Sequence, residues 1–271
     1  HRMSISSQFL ASKSSVIQDK DASLRPLAAN SNKELMKART LELSEQIGEF
    51  QNILHAQQKH KLLIVLQGMD TSGKDGTVKV VFGRTNPAGV RIISYKAPTA
   101  QELAHDFLWR IHQNVPAVGE LTVFNRSHYE DVLITKVHGL IDESEVQRRY
   151  QHINAFERML AETGTRILKF FLHISKDEQK MRLQERLNDP NKHWKFDAQD
   201  LTERSLWDAY QDAYQNAIRA THHEVAPWHI VPANSKTQRN LIIAGIVAEK
   251  LAGMDLNYPS PHPEYAKIKV E

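Results

Sequence analysis

The chain contains no cysteine. Disulfides, thiolate zinc sites and cysteine nucleophiles are excluded together, and the composition suits a reducing compartment. Nor is there an apolar run near the roughly 20 residues that a bilayer-crossing helix needs, so no membrane partner is expected. The polar stretch after Met3 lacks the apolar core and cleavage site of a secretory signal, and we expect a cytoplasmic protein. A strong charge of either sign is also missing: 35 Lys and Arg face 32 Asp and Glu, a formal net charge of +3. That balance makes no case for nucleic acid, and no RNA-binding aromatic motif occurs. Any preference for a polyanion has to come from local clustering. Fourteen histidines are present, yet neither H-E-x-x-H nor a repeated metal spacing is found, and we read them, His222 and His223 included, as surface residues.

What the chain does have is alternation. Short apolar runs rich in β-branched residues, KLLIVLQ, GVRIISY, ELTVFN, TRILKFFLHI and WHIVPA, are each followed by a stretch of helical period. Strands alternating with helices imply an α/β fold with a parallel sheet covered on both faces. Helix starts are marked by four S/T-x-x-E/Q pairs: Thr99 with Glu102, Ser144 with Gln147, Ser175 with Glu178, and Ser235 with Gln238. Reciprocal side-chain bonds in such pairs satisfy free amides. Ahead of the first strand, Leu43, Ile47, Phe50 and Leu54 share one face of a helix expected over residues 32–60, a face that should pack on a sheet or a partner. Residues 1–31 are polar and serine-rich and read as an N-terminal arm, mobile or draped over the surface. Residues 32–271 read as a single domain. The segment RLNDPNKHWKFDAQDL, 186–201, interrupts the alternation with Pro190, polar turn residues and cations, and reads as an exposed excursion between two helices. The tail NYPSPHPEY is expected to be extended.

The stretch LQGMDTSGKDGTVKV, 66–80, carries G-x-x-x-x-G-K at Gly68, Gly73 and Lys74. Such a P-loop works because successive backbone N–H groups converge on phosphate oxygens at the positive end of a helix. Glycines permit the close approach and the lysine neutralises the terminal phosphates. By composition alone the spacing would arise roughly 0.08 times in a chain of this length, so the flanks decide. An apolar strand precedes it and helix-like TVKVVFGR follows, the context the mechanism requires. We expect Gly68, Met69, Thr71, Ser72, Gly73, Asp75, Gly76 and Thr77 around a bound phosphate, with residues at other strand ends contributing. Asp75 stands where such loops place Ser or Thr, and a carboxylate there repels phosphate unless a cation lies between. Asp70 is the candidate magnesium ligand, since hard cations prefer carboxylate oxygen. An Asx-turn that merely shapes the loop is the alternative.

A second constellation is ELTVFNRSHYEDV, 120–132. P-loop NTPases usually end this strand in a magnesium-holding Asp, but here it ends in Asn125. Negative charge follows instead at Glu130 and Asp131, and Asp131 is the second candidate metal ligand. Arg126 adjoins the strand end, where a guanidinium can clamp a transferring phosphoryl group or pair with Glu130 at a helix start. In a third constellation, Arg182 and Arg186 lie four apart on one helical face, and Lys192, His193 and Lys195 surround Trp194. Positive charge on a mobile segment beside a phosphate site is what a closing lid needs, and we place a lid at about residues 178–210. A solvated face with Trp194 in the core is the alternative.

Together, GMDTSGKDGTVK, YKAPTAQELAHDFLWRIH, FNRSHYEDV, RLNDPNKHWKF, DLTERSLWDAY and APWHIVPA resemble the polyphosphate kinase 2 family, from about Lys61 to Met254. The resemblance implies a P-loop kinase-like three-layer sandwich with a parallel five-stranded sheet and a helical lid. It also implies magnesium-dependent transfer of a phosphoryl group between inorganic polyphosphate, held in the loop, and a nucleotide. By resemblance Asp70 is catalytic and metal-associated, Lys74 is the loop lysine, Arg126 the strand-end arginine, and Arg182 and Arg186 the lid arginines. Lys96, Tyr129, Glu130, Lys192 and Lys195 fall within the shared stretches as substrate-binding candidates. Asp at the position of Asp75 is usual in this family. Asn125 occupies a position where many members carry a catalytic Asp, so the carboxylate's role does not carry over. FN-R-S-x-Y-ED instead resembles the subgroup, class III, that phosphorylates both AMP and ADP, with guanine nucleotides left open as acceptors. SKTQRN departs from the pattern in lacking an aromatic residue after its lysine. A homo-oligomer, dimer or tetramer, is expected by resemblance. Two further readings stay open: an ATP-dependent nucleotide or small-metabolite kinase on the same fold, and a non-catalytic polyphosphate-binding protein.

Overall fold

The five apolar runs form five strands: β1 (Lys61–Gln67), β2 (Val90–Ser94), β3 (Leu121–Asn125), β4 (Thr165–His173) and β5 (Trp228–Pro232). In the computed structural model, which describes residues 3–27 and 32–271, all of them pair in parallel in the order β2-β3-β1-β4-β5. The winding reverses at β1, so a crevice opens beyond its carboxyl end, between the ends of β3 and β4. Residues 62–66 of β1 are fully buried, as a central parallel strand covered on both faces requires.

Helices α1 (Ile5–Phe9) and α2 (Lys33–Gln57) precede the sheet, and α3 (Lys74–Val81) follows β1. Between β2 and β3 lie α4 (Ala100–Leu103) and α5 (Trp109–His112); α6 (Glu130–Val137) and α7 (Glu143–Glu162) follow β3. Between β4 and β5 lie α8 (Lys176–Asn188), α9 (Gln199–Ser205) and α10 (Trp207–Thr221), and α11 (Lys236–Ala252) follows β5. Packing of α2 and α3 with α11 makes one outer layer; α6, α7 and α10 make the other. The result is a three-layer α/β sandwich. Leu43, Ile47 and Leu54 of α2 are buried within the protomer, against α11 and α3 rather than on the sheet itself, with Phe50 half-buried beside them.

The helix starts differ in detail from the pattern. Thr99 and Glu102 form a full reciprocal box. Ser175 and Ser235 cap their helices, but Glu178 turns to Arg182 and Gln238 to Leu27, so each box is half made. Ser144 is not a cap: Asp142 starts α7 by accepting from the Glu145 amide, which draws the helix two residues further back. Asp is as good a cap as Ser, and the earlier residue wins.

Residues 3–27 lie along the β5 edge. Phe9 and Ala22 are buried, the Ala11 amide donates to Trp228 O at 2.9 Å, and Ser6 Oγ meets His229 Nε2 at 2.7 Å. Further on, Gln18 O meets His173 Nε2 and the Asn234 amide donates to Ala22 O. An edge strand with free hydrogen-bonding groups is thereby covered. Residues 1, 2 and 28–31, part of the expected arm, lie outside the described residues. The tail from Asn257 is exposed and irregular apart from a short 3-10 turn at Tyr265–Lys267.

One polar cluster in the core was invisible in the sequence. Lys169, in the middle of β4, is fully buried and spends its three donors on Glu157 Oε1, Tyr129 Oη and Thr221 O, each at 2.7 Å. Glu157 also accepts from Tyr129 Oη and meets His128 Nε2 at 3.0 Å. Three elements of the outer layer, α7, α10 and the turn before α6, are thus pinned to one strand. The reading of the histidines as surface residues is corrected here, because His128, His173 and His229 are buried, each with a polar partner. Lys169→Met should cost about 3–5 kcal/mol, since it strands the Glu157 charge without its ammonium. Urea unfolding checks this: the midpoint falls for Lys169→Met and recovers in part for Lys169→Met/Glu157→Gln.

Candidate active site

Gly68 ends β1's approach to the loop because a Cβ there would meet Ser72 Oγ at 2.5 Å and Leu172 O of β4 at 2.7 Å. Gly73, at φ +95°, has no room for a side chain either, since the Arg239 guanidinium fills that space. Between them the chain turns back at Thr71, φ +70°, and α3 begins at Lys74. Lys74 folds over its own loop, donating to Gly68 O at 2.8 Å and to Met69 O and Ser72 Oγ at 3.3 Å. Burial, with the charge of Arg126 nearby, pushes its pKa down to about 7.

At the end of β3 the two departures from the usual loop chemistry meet. Asn125 Nδ2 donates to Asp75 Oδ1 at 2.5 Å, so the carboxylate at the helix start is held by an amide. Next to it Arg126 adopts φ +62° and spans Asp70, at 2.5 Å, and Glu130, at 3.1 Å. The helix-start pair with Glu130 is present, and the same guanidinium reaches the loop through Asp70. Asp70 feels burial, which pushes its pKa up, but Arg126 and Lys74 win and hold its carboxyl below the usual range.

Two cavities meet at this point. One, of about 700 Å³, lies over the loop and is lined by nine Lys or Arg side chains against five Asp or Glu. Lys74, Lys96, Arg126, Arg182, Arg186, Lys192 and Lys195 all contribute, with Gly73, Asp75, Gly76, Thr71 and Asn125. The other, of about 840 Å³, runs between α4, α6 and α10, and combines aromatic and aliphatic walls (Phe107, Ile134, Leu140, Tyr210, Tyr214) with Arg110, Arg149, Glu130 and Asp131. Asp70, Arg126, Tyr95, Lys96, Asp197 and Asp200 line both.

Several expected residues sit elsewhere or do something else. Tyr129 is corrected: it is fully buried under the sheet with its hydroxyl on Glu157 and lines neither cavity, because the turn after β3 directs it inward. Thr77 is also corrected, since the first turn of α3 aims it at Asn240 of α11. Ser72 is buried, its hydroxyl accepting from Lys74. Arg182 is 6% exposed and fixed: it donates to Thr71 O at 2.7 Å, to Ala233 O and Asn234 O at 2.9 Å, and to Glu178 at 3.0 Å. Arg186, one turn on, is half-buried, with one contact to Lys195 O at 3.3 Å. Trp194 is 79% exposed, which excludes a core role, and Lys195 lies over its ring.

Two residues that the sequence reading missed complete the site. Arg239, in the first turn of α11, is 3% exposed and donates to Ser72 O at 3.3 Å. Burial and the charge of Arg182 push its pKa down to about 10. Its signal was its place just past the end of β5, the edge where the loop also lies. Asp200, at the start of α9, had no such signal. Burial and the charge of Asp70 push its carboxyl up to about 6.

No three His, Asp or Glu side chains among the described residues form a ready-made metal cage. Asp70 and Asp200 instead line the same two cavities beside the loop, and the charge of Asp70 helps to raise the Asp200 pKa. That donor set fits magnesium, which takes one or two carboxylates and completes its shell with water and phosphate oxygens. Asp131 faces Arg149 at 3.8 Å and is pushed up to about 6 by burial; its Oδ2 has no hydrogen-bond partner among the described residues.

Comparison with known proteins extends these observations. A family model described as polyphosphate kinase 2 matches residues 30–259. The AMP/ADP-polyphosphate phosphotransferase of Meiothermus ruber is 55% identical over 229 residues, covering 84% of this chain and 86% of that protein. The ADP-polyphosphate phosphotransferase of Rhodopseudomonas palustris is 42% identical over 235 residues, 82% of this chain and 81% of that one. The crystal structure of polyphosphate kinase 2 from Arthrobacter aurescens matches with a TM-score of 0.92 at 43% identity, over 96% of this chain and 93% of that chain. With the match running through most of each chain and through the fold itself, this protein belongs to the polyphosphate kinase 2 family.

Proposed function

We propose that the protein transfers the terminal phosphoryl group of inorganic polyphosphate to AMP and ADP. The observation that carries the reading is the junction of two unlike cavities at Asp70 and Arg126. The loop cavity is cationic and offers a chain of phosphates repeated charge neutralisation. Its neighbour has the aromatic and aliphatic walls a nucleoside needs, with Arg110 and Arg149 for its phosphates. Had ATP been the donor, the apolar walls would be expected on the loop side, where the aromatic residues are buried Tyr95 and exposed Trp194. Acceptance of both AMP and ADP is supported by the FNRSHYED sequence and by the name of the Meiothermus relative.

In this reading the loop amides, Lys74 and Arg239 hold the donor, and Lys96, Arg186, Lys192 and Lys195 neutralise the phosphates behind it. The segment at about residues 178–210 acts as a lid, in which Lys192 and Lys195 are exposed and Arg186 is half-buried. Arg182, fastened to three carbonyls, positions the loop from the lid's fixed end. Asn125 restrains Asp75, and Glu130 holds Arg126 in line with the acceptor. Magnesium held by Asp70, with Asp200 and Asp131 as the other carboxylates at hand, would neutralise charge on the transferring group. Such a transfer needs positioning and spread charge more than covalent chemistry. An acceptor phosphate is already ionised near neutral pH, so no strong base is required; Asp70 orients it. The reading includes a cytoplasmic address, supported by the absence of cysteine, and a homo-oligomeric assembly, supported by the family resemblance.

The direct test mixes purified protein with magnesium and polyphosphate and offers AMP, ADP and GMP separately. ADP and ATP should form from the first two; product from ATP as donor but never from polyphosphate would sink the proposal. Arg126→Ala should lower kcat by about 10³-fold with the fold intact by circular dichroism, and unchanged turnover would remove Arg126 from the mechanism. Lys74 gives a third expectation. Its pKa of about 7 leaves it mostly neutral at about pH 8 in the free protein, and a bound polyanion raises that value. Tripolyphosphate binding at about pH 8 should therefore take up close to one proton, and affinity should fall as pH rises above about 7. Calorimetry in two buffers of different ionisation enthalpy reads the proton count, which should vanish in Lys74→Met.

A further inference from the structure

A third cavity, of about 640 Å³, lies on the far side of Lys236 from the loop, between the starts of α2 and α11. Its lining carries Arg25, Lys33, Lys37 and Lys236 against one carboxylate, Glu178, which is itself engaged by Arg182 at 3.0 Å. Lys37 has Glu34 at 3.9 Å, with both side chains more than half exposed, a pair worth little in water.

The floor of the cavity is the first turn of α11. Ser235 takes the amides of Gln238 and Arg239, so those of Lys236 and Thr237 make no hydrogen bond among the described residues. Thr237 lines the cavity at 9% exposure, and its hydroxyl is likewise unpartnered among the described residues. The positive end of a 17-residue helix thus opens into a space ringed by ammonium and guanidinium groups. Lys236 lines this cavity and the loop cavity alike. Burial, then the charges of Arg182, Arg239 and Lys192, push its pKa down against the opposing charge of Glu185.

We propose that this cavity is a second polyphosphate subsite, holding the part of a long donor chain that extends beyond the phosphates in the loop. The proposal rests on the donor reading above and adds to it a path across Lys236. A flexible polyanion is favoured over a nucleotide because, among the described residues, the apolar lining is Met36 and Val80, with no aromatic ring for a base. It is favoured over free phosphate because one side chain joins the two cationic linings, so a single chain can fill both without crossing an uncompensated stretch.

The test uses the full chain, the double variant Lys33→Ala/Lys37→Ala, and two sodium polyphosphate fractions, one of a few units and one long. Both lysines are exposed, so the fold should hold, and turnover of the short fraction controls for it. For the long fraction, KM should rise about tenfold and the slope of log KM against log salt should fall by about two, one per lost phosphate contact. KM for the short fraction and kcat for both should stay as in the parent protein. An unchanged KM for the long fraction overturns the subsite, and an independent site for free phosphate would give that result. An equal rise for both fractions also overturns it, by placing the two lysines at the loop. Failure of the parent protein to use any polyphosphate strikes the donor reading instead, which keeps the two failures apart. Arg25→Ala, made separately, should repeat the long-fraction effect at a smaller size.

Discussion

Nine cationic side chains around one cavity repel one another, and the way the fold holds them apart from carboxylates governs the site. The most deeply buried of them are fastened to main-chain carbonyls. Lys74 bonds Gly68 O and Met69 O, Arg182 bonds Thr71 O, Ala233 O and Asn234 O, and Arg239 bonds Ser72 O. A carbonyl dipole orients a cation without cancelling its charge, whereas a carboxylate partner would compete with phosphate for it. Burial, with the charges of Arg126 and Arg182 nearby, depresses the pKa values of Lys74 and Arg239 respectively. Arg182 adds one carboxylate, Glu178 at 3.0 Å, to its three carbonyls, and Arg126 differs most, because it already grips both Asp70 and Glu130. It holds its place through anions that a phosphoryl group and a metal would have to share, and this ties the junction of the cavities to their occupants.

The aspartate at the start of α3 becomes intelligible beside Asn125. A hydroxyl in the loop with a carboxylate at the strand end is the common arrangement; here the carboxylate is in the loop and the amide at the strand end, joined by one hydrogen bond. The exchange keeps one acid near the phosphates while moving it across the gap between β3 and α3. It also explains how Asp75 is tolerated at the positive end of a helix. The helix start favours the negative charge and Asn125 donates to it, so repulsion toward phosphate is offset on two sides.

What the sequence made legible was everything written in local pattern. The five strands, the loop, the buried face of α2 and the full cap at Thr99 each depend on residues a few positions apart. Misreadings arose where two local signals competed, as at Ser144, whose neighbour Asp142 caps α7 first. Others arose where a partner lies far along the chain. Tyr129 looked like a site residue because it falls within the shared stretch FNRSHYEDV, but Lys169 and Glu157, 40 and 28 positions away, draw it into the core. Lys169 itself reads as a flaw in an apolar strand until three acceptors from other elements surround it. Asp200 reaches Asp70 only because α9 folds back over the loop, a fact no spacing encodes.

Two non-glycine residues with left-handed backbone, Thr71 and Arg126, stand on opposite sides of the cradle. Each such conformation costs on the order of 1–3 kcal/mol and persists only where its surroundings fix it. Thr71 is held by Arg182 through its carbonyl and Arg126 by its amide on Leu66 O at 3.0 Å. The carbonyl grip makes Arg182 a brace for the loop's shape rather than a mobile finger, and it joins α8, the loop and the end of β5 into one rigid unit. Arg186, one turn further and half-buried, makes one carbonyl contact where Arg182 makes three. Division of labour along a single helix follows: its first half fixes the cradle while its second half carries charge over it.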